Sequence, residues 1–78
     1  MIYCNLKQKK KGSATYSFGT TLEDITGEVE FYADFTQPTI LKHPSTGEVT
    51  VNTLNRLVVK YKGLFAEDIF PDKIAYER

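Results

Sequence analysis

The chain has one cysteine, one histidine and no tryptophan among its 78 residues. A single cysteine cannot form a disulfide within the chain, so no internal covalent cross-link holds the fold together. A zinc site usually takes three or four Cys or His ligands, and the chain offers two residues of these types. Acidic calcium loops and glycine-rich phosphate loops are also missing. We therefore expect neither a metal nor another cofactor.

Long apolar runs are missing as well. No stretch approaches the roughly 20 apolar residues that a bilayer-spanning helix needs. The first residues, MIYCNL, have the pattern of a strand and lack the basic start and longer apolar run of a secretory signal. We expect a soluble cytoplasmic protein without membrane contact. Its length is that of one small domain, which we expect to span residues 1–78.

One segment shows a helical pattern. Its apolar side chains recur at i, i+3, i+4, i+7 and i+11, at Leu54, Leu57, Val58, Tyr61 and Phe65. The spacing predicts a helix over about residues 53–62. Val59 lies off the apolar stripe, and we expect it to contact Leu64 in a Schellman ending with Gly63 in a left-handed conformation.

The rest of the chain reads as short strands and turns. Alternating apolar and polar residues predict strands near residues 2–7, 14–19, 28–35, 39–43, 48–51 and 74–76. Gly12 predicts a hairpin turn between the first two strands. Thr20 or Thr21 predicts a short helical turn that ends at Gly27. The expected fold class is α+β, with an antiparallel or mixed sheet of four to six short strands and one amphipathic helix packed on one face.

The faces of these elements predict a small core that is rich in aromatic rings. Its expected members are Ile2, Cys4, Leu6, Tyr16, Phe18, Val29, Phe31, Phe35, Val51, Leu54, Leu57, Val58, Tyr61 and Phe65.

Cys4 and His43 are the only pair that could serve as nucleophile and base. Nothing in their spacing brings them together. Cys4 lies on the predicted core face between Ile2 and Leu6, where a cysteine acts as a small apolar side chain. We therefore expect no catalytic residues and no enzyme.

Charge and aromatic residues suggest a binding surface instead. The first twenty residues carry four lysines and no acid. Tyr3 and Tyr32 are expected on the sheet face away from the helix. The candidate partner-binding residues are Tyr3, Lys7, Lys9, Lys10, Lys11 and Tyr32.

Three interpretations of these residues remain open. The first is a small protein-interaction domain that binds another protein or a second copy of itself, with the edge segment 39–43 available for strand addition. The alternative is single-stranded nucleic-acid binding through the basic hairpin 7–11 and the outer tyrosines, although the acids around Tyr32 disfavour it. The third is a cross-strand tyrosine pair that only stabilises the sheet.

Overall fold

The computed structural model describes residues 1–77. These residues form five strands and two helices, in the order β1 (Ile2–Lys10), β2 (Ser13–Gly19), β3 (Gly27–Tyr32), β4 (Thr39–Lys42), α1 (Val51–Lys60), α2 (Lys62–Ala66) and β5 (Lys73–Tyr76). The sheet has the strand order β4-β3-β2-β1-β5, and every neighbouring pair is antiparallel. The predicted α+β class is confirmed, and the sheet is antiparallel rather than mixed.

Two pairings define the sheet around β1. The hairpin from β1 to β2 closes at the pair Lys10 and Ser13, with Gly12 at a φ of +82°. Only glycine adopts this left-handed region without a steric cost, which is why the predicted turn forms there. On its other side β1 pairs with β5, and Ile2 lies opposite Tyr76.

The core lies between the sheet and the helices. Its buried apolar side chains are Ile2, Cys4, Ala14, Tyr16, Phe18, Val29, Phe31, Val49, Leu54, Leu57, Phe65, Phe70 and Ile74. Leu6, Val58 and Tyr61, which were predicted to lie in the core, are partly buried against it. Phe70 was not expected in the core, but its ring stacks on Phe65 with 4.6 Å between centroids.

The predicted end of the helix is wrong. α1 begins at Val51, because the Thr50 hydroxyl accepts a hydrogen bond from the Thr53 N–H at 3.3 Å. Gly63 lies inside α2 and has no positive φ, so the Schellman ending does not form. The second helix instead carries Phe65 into the core, which leaves Val59 69% exposed and Leu64 39% exposed.

The strand predicted to reach Phe35 ends earlier, at Tyr32. The chain turns there, because the Phe35 N–H donates to the Tyr32 carbonyl at 3.2 Å. Phe35 adopts a φ of +64° and is 42% exposed, so its predicted place in the core is also wrong.

Two further predicted elements do not form. The segment 48–51 is no strand, since Val51 starts α1 and Val49 alone reaches the core. The segment after Thr21 is not helical either, and Thr21 forms an isolated bridge with Asp24. This loop folds onto Gly19 so closely that a Cβ there would lie 1.7 Å from the Asp24 carbonyl oxygen.

Candidate interaction surfaces

The two tyrosines of the predicted site lie at opposite ends of the sheet. Tyr3 pairs with Gly19, whereas Tyr32 pairs with Ser13, and these partners are six residues apart on β2. At about 3.4 Å per residue, the separation along the strand is about 20 Å. The tyrosines therefore form neither a cross-strand pair nor a shared stacking platform. The Tyr32 hydroxyl also lies 2.8 Å from the Thr39 hydroxyl, within the sheet itself.

A β-bulge divides the predicted lysine cluster between two faces. The register of β1 shifts between Leu6 and Gln8, so Lys7 is an extra residue in the strand. Lys7 reaches Glu28, on the face away from the helices, with 3.0 Å between its ammonium nitrogen and a carboxylate oxygen. Lys9 pairs with the buried Ala14 and lies on the helix side.

Lys9 has two side-chain partners on that side, and its ammonium also donates to the Lys10 carbonyl. Its ammonium lies 2.9 Å from a carboxylate oxygen of Asp68 and 5.2 Å from the centroid of the Phe70 ring. Lys10 and Lys11 have no carboxylate within ion-pair distance among residues 1–77. Lys7 and Lys9 therefore lie on different faces of the sheet, and the hairpin lysines do not form one continuous basic surface.

Asp68 holds the hairpin against the loop that precedes β5. Besides Lys9, its carboxylate accepts a hydrogen bond from the Gly12 N–H at 3.0 Å. The hydrogen bonds from these donors hold the pKa of Asp68 below its ordinary value, and the Lys9 ammonium has the largest effect. Asp68 adopts a φ of +62°, a strained backbone conformation for a residue with a side chain.

Cys4 and His43 lie apart. Cys4 is buried in β1, and desolvation raises the pKa of its thiol to about 12. His43 is exposed just after β4, and two strands separate β4 from β1. At a strand spacing of about 4.8 Å, the two residues are at least about 14 Å apart. The structure does not bring the possible nucleophile and base together.

Residues 1–77 contain neither a cluster of metal-binding side chains nor a helix that could span a membrane. No three His, Cys, Asp or Glu side chains in this part of the chain are grouped so that they could hold a metal ion. Neither α1 nor α2 has the length and apolar character to cross a bilayer.

Both edges of the sheet carry features that hinder the addition of another strand. β4 lies at one edge, as predicted, but it has four residues and a bulge at Leu41. Bulged, short edge strands pair poorly with a further chain. At the other edge, the Lys60 ammonium donates to the Ala75 carbonyl at 2.8 Å. The segment 39–43 is therefore a less favourable site for strand addition than the sequence indicated.

The helices present a surface that sequence reasoning missed. Phe35, Asn55, Val58, Val59 and Lys62 line a shallow groove of about 280 Å³, and we call these five residues the helix patch. Val59 is its most exposed apolar side chain. The Lys62 ammonium lies 5.8 Å from the centroid of the Phe35 ring. The signal in the sequence is the position of Val59 off the apolar stripe. The sequence-based interpretation explains that position by a contact with Leu64 in a Schellman ending, and that ending does not form.

A second groove runs along the other side of Val59. It has a volume of about 450 Å³ and is lined by Arg56, Val59, Lys60 and Tyr76. Val59 is thus an aliphatic ridge between two open grooves. A third groove of about 430 Å³ lies beside Tyr3, Leu22 and Lys73, and Lys73 is the one cation among its lining residues.

The charged residues of the helical segment have one sign. Residues 49–66 contain Arg56, Lys60 and Lys62 but no Asp or Glu. None of these three cations has a carboxylate within ion-pair distance in the described part of the chain. Two acids are sequence neighbours of groove residues, since Asp34 precedes Phe35 and Glu77 follows Tyr76. The Asp34 carboxylate accepts a hydrogen bond from the Thr36 N–H at 3.0 Å.

Comparisons of this chain with protein-family models, with curated proteins and with solved structures gave no match.

Proposed function

We propose that this protein is a small non-catalytic binding domain that contacts another protein through the helix patch. The observation that carries the proposal is the exposure of Val59. α1 buries Leu54 and Leu57 on its inner side, so a large aliphatic side chain on the outer side contributes nothing to the core. Exposed apolar side chains that cluster with an aromatic ring are typical of protein interfaces.

The conformation of Phe35 supports the same surface. A phenylalanine at positive φ costs of order 1–3 kcal/mol, and such strain persists where the surroundings fix the residue. This backbone conformation places the Phe35 ring beside Val58 and Lys62, where the ring lines the groove. Aromatic side chains contribute large contact areas at interfaces with little loss of conformational entropy.

Single-stranded nucleic-acid binding through the hairpin lysines and the outer tyrosines is the alternative. Bases would have to stack on rings that are about 20 Å apart along the sheet. Lys7 and Lys9 are each paired with a carboxylate, which reduces the charge available to phosphates. These contacts favour the protein-interaction proposal over the alternative.

We also propose a cytoplasmic location, because the chain's one thiol is a free, buried group that needs no oxidising compartment.

A peptide-display selection against the immobilised domain tests the proposal. We expect random displayed peptides to be enriched, to bind saturably, and to lose binding to a Val59→Ser variant. Tyr3→Ser is the matched control, because Tyr3 lies on the other face of the sheet. If no peptide is enriched and oligothymidine binds with steep salt dependence, the nucleic-acid alternative replaces the proposal.

A further inference from the structure

The helical segment is cationic in a chain whose total charge is zero. The sequence carries ten basic and ten acidic residues, yet residues 49–66 carry three cations and no anion. Solvent-exposed helices commonly mix both signs, because i to i+4 pairs of opposite charge stabilise them. Because α1 and α2 carry only positive side chains, no such pair stabilises them.

The cations lie around the apolar ridge. Arg56 and Val59 are three positions apart on α1, and Val59 and Lys60 line the same groove. Residues at this spacing are neighbours on a helix surface. On the other side of Val59, Lys62 shares a groove with Phe35. A segment lying across Val59 would therefore meet positive charge on both sides.

These cations remain able to receive an anion. Lys60 uses one of its three N–H groups on the Ala75 carbonyl, and the other two are left. Lys62 is held near the face of the Phe35 ring, which does not neutralise its charge. Arg56 makes no side-chain hydrogen bond within residues 1–77 and has a fork of donors that suits a carboxylate.

We propose that the helix patch, together with the groove on the other side of Val59, binds an acidic protein segment. This segment places an aliphatic or aromatic side chain against Val59 and carboxylates beside Arg56, Lys60 and Lys62. This inference rests on the proposed function. The apolar contact supplies affinity, and the carboxylates select the partner and fix its register.

Charge complementarity disfavours the other occupants. In a two-fold pairing through α1, the cations of one copy would approach those of the second copy. The aliphatic ridge offers a nucleic acid no stacking surface at the centre of the patch. A lipid surface usually takes a helix with a broad apolar face, whereas the inner face of α1 is buried in the core.

The test compares two displayed peptide libraries of equal apolar content, one biased to Asp and Glu and the other to Lys and Arg. We expect enrichment from the acidic library only. Arg56→Glu should weaken the binding of a selected peptide by about tenfold, which corresponds to about 1.4 kcal/mol. Lys73→Glu is the matched control, since it makes the same charge change on the face of β5 away from the helices and should leave binding unchanged. Changing one peptide acid to lysine should restore binding to the Arg56→Glu variant.

The outcomes separate this inference from the proposed function. Equal enrichment from both libraries, with binding still lost in Val59→Ser, overturns the acidic partner and leaves a protein-interaction domain. No enrichment from either library overturns both. Binding of oligothymidine or of phosphatidylserine vesicles that Arg56→Glu abolishes, or self-association that it abolishes in sedimentation, assigns the patch to another occupant and overturns the inference.

Discussion

The phenol hydroxyl of Tyr61 hydrogen-bonds both backbone polar groups of Ala75. It accepts from the Ala75 N–H at 3.1 Å and donates to the Ala75 carbonyl at 3.2 Å. Ala75 lies on β5, an edge strand with one neighbour in the sheet. One side chain therefore satisfies backbone groups that a further strand would otherwise pair with.

Replacing Tyr61 with Phe tests this relationship. We expect the free energy of unfolding to fall by about 1–3 kcal/mol, because the Ala75 N–H would lose its partner, whereas the Ala75 carbonyl would keep the Lys60 ammonium. Chemical denaturation measures the change. Tyr3→Phe is the control, since the nearest partner of its hydroxyl is the Met1 sulfur at 3.7 Å. Equal effects in the two variants would show that the edge contact contributes no stability.

Truncation to alanine should lower the stability of the protein strongly at Leu57 and hardly at all at Val59. Leu57 is fully buried, so Leu57→Ala should cost about 2–5 kcal/mol. Val59→Ala should stay within about 0.5 kcal/mol of the wild-type protein, since alanine also favours the helix. Thermal and chemical unfolding of the pair measure both effects. A large loss in Val59→Ala would mean that Val59 packs in the core.

Gly63 and Gly19 form a second pair of contrasting positions. A Cβ at Gly63 meets nothing within 4 Å, and the residue is helical. Gly63→Ala should therefore raise the free energy of unfolding by about 0.5–1 kcal/mol. A Cβ at Gly19 would overlap the Asp24 carbonyl, so Gly19→Ala should cost about 1–3 kcal/mol or more. If denaturation shows that Gly63→Ala is less stable than the wild type, the predicted left-handed conformation of Gly63 would be supported.

The Asp68 carboxylate should make stability depend on acid pH. Its pKa is lowered in the folded state, chiefly by the Lys9 hydrogen bond, so its contribution is present above the ordinary Asp pKa of about 3.9. That contribution is lost as the pH falls through the lower folded-state value. The difference in melting temperature between wild type and Asp68→Asn should therefore shrink below about pH 4.

Glu67→Gln is the matched control for that experiment. Residues 1–77 give the Glu67 carboxylate no hydrogen-bond or ion-pair partner. Its melting curve should follow the wild type across the acid range. If Asp68→Asn also follows the wild type at neutral pH, the tie between hairpin and loop is not stabilising.

The Cys4 thiol should react only when the domain unfolds. Burial raises its pKa to about 12, so almost no thiolate exists in the folded state near pH 8. Labelling by a thiol reagent should follow the unfolding transition in denaturant. A Cys4→Ala variant that carries Lys11→Cys in the exposed hairpin turn should react at once. Fast labelling of folded wild-type protein would contradict the buried position.

Much of the fold could be predicted from alternation and helical spacing. The inward residues of β1, β2 and β3 were found because each strand has one face in the core. The second helix and Phe70 were missed, since residues 65–70 show no period over a useful length. Phe35 was placed inward because alternation continues past the point where a local turn reverses the chain.

The candidate site was harder to predict for a physical reason. The positions of Lys7 and Lys9 depend on a bulge, and a bulge is defined only by the partner strand. The separation of the tyrosines depends on the register of β1, β2 and β3. Val59 became a candidate only when α2 replaced the expected helix ending.

The pairing of Ile2 with Tyr76 places positions 2 and 76 side by side on neighbouring strands. Directly opposed residues in antiparallel strands have Cα atoms about 4.5–5.5 Å apart. A short linker could therefore join these positions, and new chain ends could be opened at the exposed turn that contains Lys11. The same closeness suits the domain to insertion between two adjacent residues of a host protein, with little separation imposed on the host chain.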